Sequence, residues 1–189
     1  MRTRDEGHLL LKLARHAIAE KLGEPHIRIA HRDWMHHPGA TFVTLSKHKQ
    51  LRGCIGSLEA YRPLLEDVRQ NACAAAFHDP RFHPLHAQEY QEIEIEVSLL
   101  SQPEPIQFAD EFQALEQLRP GIDGIIFECG RYRSTFLPQV WEQLPQAEVF
   151  MQHLKYKAGL PVNYWSDDVR LSRYTVQKWR EVDFDGSAL

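Results

Sequence analysis

Two short stretches of this 189-residue chain, and one pair of carboxylates, gather side chains that do chemistry. The first is LRGCIGS, Leu51 to Ser57, where Cys54 lies between Gly53 and Gly56 with Arg52 two residues before it. A thiol becomes a nucleophile when a cation, a helix N-terminus or a ring of N–H donors brings its pKa below the free value of about 8.5. In a regular strand Arg52 and Cys54 share a face, so Arg52 is the cation at hand. Gly53 and Gly56 would let the backbone approach a ligand closely and present N–H groups to an anion. His48, His78, His83 and His86 are the imidazoles available as a base. A packed role fits the same residues. Free cysteine is among the most buried residue types, and glycines beside it serve a bulge or a tight turn. Both readings stay open at this point.

The second stretch is HDPRFHPLH, His78 to His86. His78, His83 and His86 with Asp79 are ligand types for zinc or iron. Their spacing has no helical i, i+4 histidine pair, and two prolines restrict the loop, so no metal site is assigned. In the structural reading Asp79 caps or turns the loop, Arg81 pairs with a carboxylate such as Glu94 or Glu96, and Phe82 anchors the loop in the core. In the functional reading Asp79 and Arg81 line a pocket, and the Arg81 fork grips a phosphate or carboxylate. Glu94 and Glu96 lie about 7 Å apart on one strand face. Paired carboxylates can do acid–base work, but an exposed strand face is ordinarily just solvated.

The elements that must position these groups can be read from periodicity. Leu9, Leu10, Leu13, Ala14, Ala17, Ile18 and Leu22 recur at helical spacing, and Gly23 is a natural stop. TFVTLSK is a β-branched strand, and a second strand enters Leu51–Cys54 and turns near Gly56. Pro63 opens a helix to about Phe77, with Leu64, Leu65, Val68, Ala72, Ala75 and Ala76 inward. IEIEVSLL alternates as a strand with one wet face. A short helix follows near 109–118, then a hairpin turning at Cys129-Gly130, a helical stretch from Pro138, and a helix ending at Gly159. The tail DVRLSRYTVQKWREV reads as one final strand. Cys73, on an alanine-rich helix face, and Cys129, at a hairpin turn, are read as structural. Lys157 is a candidate to reach a pocket. Antiparallel hairpins interleaved with helices, without a βαβ rhythm, define an α+β fold. Strands followed by helices over 41–77 and again over 91–158 hint at a duplicated plan.

Bulk properties narrow the function classes. Hydrophobic content of 43% and charged content of 25% are those of a soluble globular protein of one domain, with room for two lobes. A net charge of −4 supplies no basic field that would make nucleic acid the default partner. No apolar run nears the roughly 18 residues that span a membrane, and the start MRTRDEGHLL lacks the apolar core of a secretory signal. Three widely spaced cysteines fit neither a disulfide framework nor a zinc ribbon. The chain reads as cytoplasmic. It has no Walker loop, GxGxxG, HExxH or GxSxG, so no cofactor is indicated.

The order of motifs resembles the AMMECR domain family, known in prokaryotes as AmmeMemoRadiSam system protein A. The matching pieces are FVTL, LRGCIGS, AAFHDPRFHPL, IEIEVSLLSQPEPI, GIDGIIF, TFLPQVW and LKYKAGLP, which run in the family's order over nearly the whole chain. Ser134, where the family often has alanine, and VSLL in place of ISVL are small departures. The resemblance implies an α+β fold, mostly antiparallel, with a barrel-like sheet flanked by helices and built from two strand-helix repeats. It implies association with a Memo-like protein and a radical S-adenosylmethionine protein, and proposed links to nucleobase or RNA modification. It implies no particular reaction.

Two functional readings follow. In one the chain is a binding or adaptor component that uses Arg52, Gly53, Gly56, Asp79 and Arg81 to hold a small anionic ligand, a nucleotide or a partner protein. In the other it is an enzyme with Cys54 as nucleophile or carrier thiol on a small anionic substrate.

Overall fold

The computed structural model describes residues 2–25 and 29–184. The chain divides into two compact units, Met1–Leu100 with Gln177–Leu189, and Ser101–Val176.

The first unit begins with α1 (Arg4–Lys21), started by a capping box between Thr3 and Glu6. Gly23, at φ 84°, follows its end. The buried stripe of α1 includes Leu10, Leu11, Leu13, Ala14, Ala17 and Ile18. Next comes a hairpin, β1 (Thr41–Lys47) and β2 (Gln50–Gly56), closed by His48 and Lys49. Both turn residues have positive φ, 51° and 64°, the twist that a two-residue hairpin loop demands. Helix α2 (Leu64–Phe77) packs behind the hairpin, and β3 (Ile93–Leu100) returns against β1. The sheet order is β2-β1-β3-β8, with β8 (Val176–Arg180) outermost beside β3. Val43, Leu45, Ile93, Ile95, Val97 and Trp179 point to one face and meet α1 and α2 in a single core.

The second unit repeats the plan. Its hairpin is β5 (Gly124–Cys129) and β6 (Tyr132–Phe136), its helix α4 (Ala147–Lys157), and its return strand β7 (Arg170–Tyr174). Two-residue β4 (Glu104–Pro105) is the outer strand beside β7, and α3 (Glu111–Glu116) precedes the hairpin. The order β4-β7-β5-β6, read from β6, matches that of the first sheet. Trp141 stacks on Phe150 at 3.7 Å in this core, and its indole N–H donates to the Asp123 carbonyl.

The α+β class and antiparallel pairing stand as expected. Three expectations are corrected. The sheets are two open four-stranded sheets and do not close into a barrel. The tail is two strands, interrupted at Thr175, one for each sheet, because ten alternating residues can serve two sheets when the chain breaks between them. The repeat is hairpin–helix–strand, over 41–100 and 124–174, so its second copy starts later than the strand content of the sequence indicated.

Candidate functional site

The motif LRGCIGS forms β2, the edge strand of its sheet. Pairing with β1 places Leu45 opposite Gly53 and Ser46 opposite Leu51, so Arg52 is the extra residue of a β-bulge. Bulges re-aim side chains and bend the strand. The strand is therefore not regular, and the shared face expected for Arg52 and Cys54 does not follow. Arg52 turns to Glu89, with Nε and Nη2 donating to its two carboxylate oxygens at 3.1 and 2.9 Å. Lys47 also donates to Glu89, at 3.4 Å. The bidentate Arg52 bonds are the largest influence on Glu89, whose pKa is lowered from 4.5 to about 2.

Cys54 lies opposite Thr44 in the β1–β2 register, and the Thr44 hydroxyl is 3.2 Å from its half-buried sulfur. Thr44 is in turn opposite Glu96 on β3, which accepts from Ser98 and pairs with Lys178 at 3.6 Å. Among the described residues no histidine is hydrogen-bonded to the thiol. His48 stands on the hairpin turn, three-quarters exposed, within 3.2 Å of Glu92.

Gly53 and Gly56 accommodate the chain itself. A Cβ on Gly53 would sit 2.1 Å from the Ala75 carbonyl oxygen of α2, a backbone atom that cannot swing aside. A Cβ on Gly56 would meet the Phe42 ring at 2.2 Å and the Thr41 carbonyl at 2.6 Å. The glycines let the helix and the neighbouring strand close on β2.

The HDPRF segment closes the outside of the same strand. Asp79 accepts the Cys54 backbone N–H at 2.8 Å, and Arg81 Nη2 donates to the Cys54 carbonyl at 3.1 Å. Asp79 also accepts the Arg81 backbone N–H, an Asx-type turn, and binds the guanidinium through Nε at 2.9 Å and Nη2 at 2.7 Å. Arg81 thus pairs with Asp79, two residues away, and not with Glu94 or Glu96. Its hydrogen bonds are the main cause holding the Asp79 carboxyl far below the usual carboxylate range, against the opposing effect of burial. The Asp79 side chain is 1% exposed and that of Arg81 55%. His78 closes α2 and His86 begins the turn that carries Glu89. Among the described residues no three His, Cys, Asp or Glu side chains are grouped to hold a metal ion.

A polar cluster that carries no motif signal sits beside this site. Asp67, fully buried on α2, accepts from the Thr41 N–H and hydroxyl, the Ser57 hydroxyl, Asn71 Nδ2 and Arg62 Nε. It ties the loop leaving β2 to the start of β1. The i, i+4 spacing of Asp67 and Asn71 on the alanine face was the only trace of it in the sequence. Of the other cysteines, Cys73 donates to the Ala17 carbonyl at 3.4 Å and burial pushes its thiol up, while Cys129 is buried near Tyr164 and Ser166. Lys157 reaches the Thr135 carbonyl on β6, not a pocket.

Two open antiparallel sheets on one repeated hairpin–helix–strand plan, with a clasped cysteine on the edge of the first, define the class. The AMMECR1 family model matches residues 11–179, and this chain belongs to that family. A protein of Methanothermobacter thermautotrophicus is 38% identical over 95% of this chain and 96% of its own length. One from Methanocaldococcus jannaschii is 36% identical over 99% and 96%. The crystal structure of an uncharacterized protein from Pyrococcus horikoshii superposes with a TM-score of 0.78 at 32% identity, covering 94% of this chain and 92% of that one. Among the described residues no helix is long and apolar enough to cross a membrane.

Proposed function

We propose that the chain is a non-catalytic recognition component of a system that includes Memo-like and radical S-adenosylmethionine proteins. Its docking surface is the β2 edge at Cys54 with the Asp79–Phe82 loop. The observation that carries this reading is the clasp: Asp79 and Arg81 occupy both edge-facing backbone groups of Cys54 and leave Arg81 more than half exposed. A guanidinium fixed on one side by a buried carboxylate is preorganised to receive an acidic group from a partner on the other. The hydroxyl neighbour of the thiol is not a base, which favours recognition over nucleophilic catalysis. The test is co-expression with Memo-like and radical S-adenosylmethionine proteins from the same genome, read by size-exclusion chromatography at about 10 μM, where micromolar partners co-elute. A complex lost on Arg81→Glu supports the reading; co-elution indifferent to Arg81→Glu, or none at all, overturns it. The cysteine-enzyme reading is favoured by the proximity of the Arg81 guanidinium to Cys54 and would require turnover abolished by Cys54→Ala.

A further inference from the structure

A different site lies wholly within residues 101–176. Past β4 the chain stays bonded to β7 through the Ile106 N–H and the Leu171 carbonyl at 2.9 Å, then turns away toward Asp110, the N-cap of α3. The fork borders a groove of about 650 Å³, open to solvent along one side, a size within the roughly 300–1,000 Å³ of small-molecule sites. Ile106, Val169 and Leu171 form its buried floor, under a lining whose accessible surface is more polar than apolar. Phe108 and Trp165 add an aromatic wall, their rings 5.6 Å apart and inclined at 54°.

Arg170 also lines the groove. Its Nη1 donates to the carbonyls of Asp167 at 2.8 Å and Val169 at 3.0 Å, which fixes the guanidinium. Among the described residues no carboxylate pairs with it. The cross-strand neighbour Glu128 is in register with both Arg170 and Arg133 and is taken by Arg133 at 3.0 Å. An exposed guanidinium that is anchored through Nη1 and has no carboxylate of the described residues within ion-pair distance, beside two aromatic rings, can receive an anion with an apolar body. The carboxylates of Glu128 and Asp167 in the same lining disfavour a dianion such as a phosphate monoester.

We propose that this groove binds a small organic monocarboxylate, its carboxylate on Arg170 and an aromatic or branched apolar body against Phe108 and Trp165. Phenylacetate is the probe, titrated into the whole chain and followed by backbone amide and tryptophan indole NMR shifts, with phenethylamine as the ring of opposite charge. Saturable shifts around Arg170 and at the Trp165 indole are expected, with a dissociation constant of about 1 mM or tighter. Arg170→Met, which keeps the aliphatic stem, should weaken binding about tenfold or more with the spectrum elsewhere unchanged. Absence of saturation up to the solubility limit, equal binding by Arg170→Met, or equal binding of phenethylamine overturns the proposal. If Arg170→Met perturbs the whole spectrum, the comparison of phenylacetate with phenethylamine on the unaltered chain decides alone.

Discussion

Asp79 accepts the backbone N–H of Cys54 at 2.8 Å, standing in for the neighbouring strand that β2, at the edge of its sheet, does not have. Arg81 completes the imitation by donating to the Cys54 carbonyl. Exposed edges are templates for unwanted pairing, and here a charged Asp-Pro-Arg turn blunts one. The second sheet has a simpler version, in which Lys157 donates to the Thr135 carbonyl of β6 at 2.8 Å.

Removing the acceptor should therefore cost more than a surface charge normally does. Asp79→Ala frees the Cys54 N–H, the Arg81 N–H and the guanidinium together. The expected loss is about 2–3 kcal/mol, seen as a melting temperature lower by about 4–10 °C. Arg81→Ala should cost less, because Asp79 keeps both backbone N–H groups. Equal losses for the two variants would mean that the clasp works through charge and not through the strand edge.

The Arg52–Glu89 pair makes a pH-dependent prediction. Glu89 titrates lower in the folded chain than unfolded, from 4.5 to about 2, with the Arg52 hydrogen bonds as the first cause. A depressed folded-state pKa contributes stability that is complete above about 4.5 and lost as pH falls toward about 2. Glu89→Gln should destabilise by about 2 kcal/mol at pH 7, and the gap to the unaltered chain should narrow as pH drops below 4.5. Urea midpoints at pH 7 and at about 3.5 measure it. A gap that is the same at both pH values would sink the assignment.

How much of this was legible in the sequence depends on the range of the interaction. The helices and hairpins were readable because burial of one face imposes a period, as in Leu10 to Ile18 and Ile93 to Leu99. The Asp79 turn was readable because an Asx bond to residue i+2 is local. The partner of Arg52 was not, since Glu89 is 37 residues away and belongs to a short helical turn with no pattern of its own. The bulge at Arg52 was equally hidden, because register is a property of two strands. Gly53 looked like room for a ligand, and only the approach of α2 shows that the Ala75 carbonyl fills that room. The open sheets were hidden as well, because closure depends on which distant strands pair, and no alternation of residues can announce that.

Asp67 supplies a prediction that rests on the structure alone. Five hydrogen bonds converge on its buried carboxylate, from Thr41, Ser57, Arg62 and Asn71. Asp67→Ala would leave a partly buried guanidinium and several buried donors without their shared acceptor, a loss of about 3 kcal/mol or more. The drop in chemical-denaturation stability should exceed that of Asp79→Ala. If the loop Ser57–Arg62 were held by other contacts, the two variants would unfold at similar urea concentrations, and the cluster would have no special structural role.

The three cysteines should separate by reactivity in the folded chain. Cys54 is half-buried, with its sulfur beside a hydroxyl and its backbone clasped by Asp79 and Arg81. Cys73 is handicapped because burial pushes its thiol up and the S–H is engaged with the Ala17 carbonyl. Cys129 is buried within reach of Tyr164 and Ser166. Iodoacetamide labelling resolved by mass spectrometry should therefore modify Cys54 first and Cys129 only on unfolding. The pH profile of the Cys54 rate then separates the two functional readings. An apparent pKa well below the roughly 8.5 of a free thiol would mean that Arg81 stabilises a thiolate, and substrate trapping on Cys54 should follow. A rate that rises only at the ordinary thiol value, or a Cys54 inert until the chain unfolds, leaves the clasped edge and the exposed Arg81 as a binding surface and removes the case for catalysis.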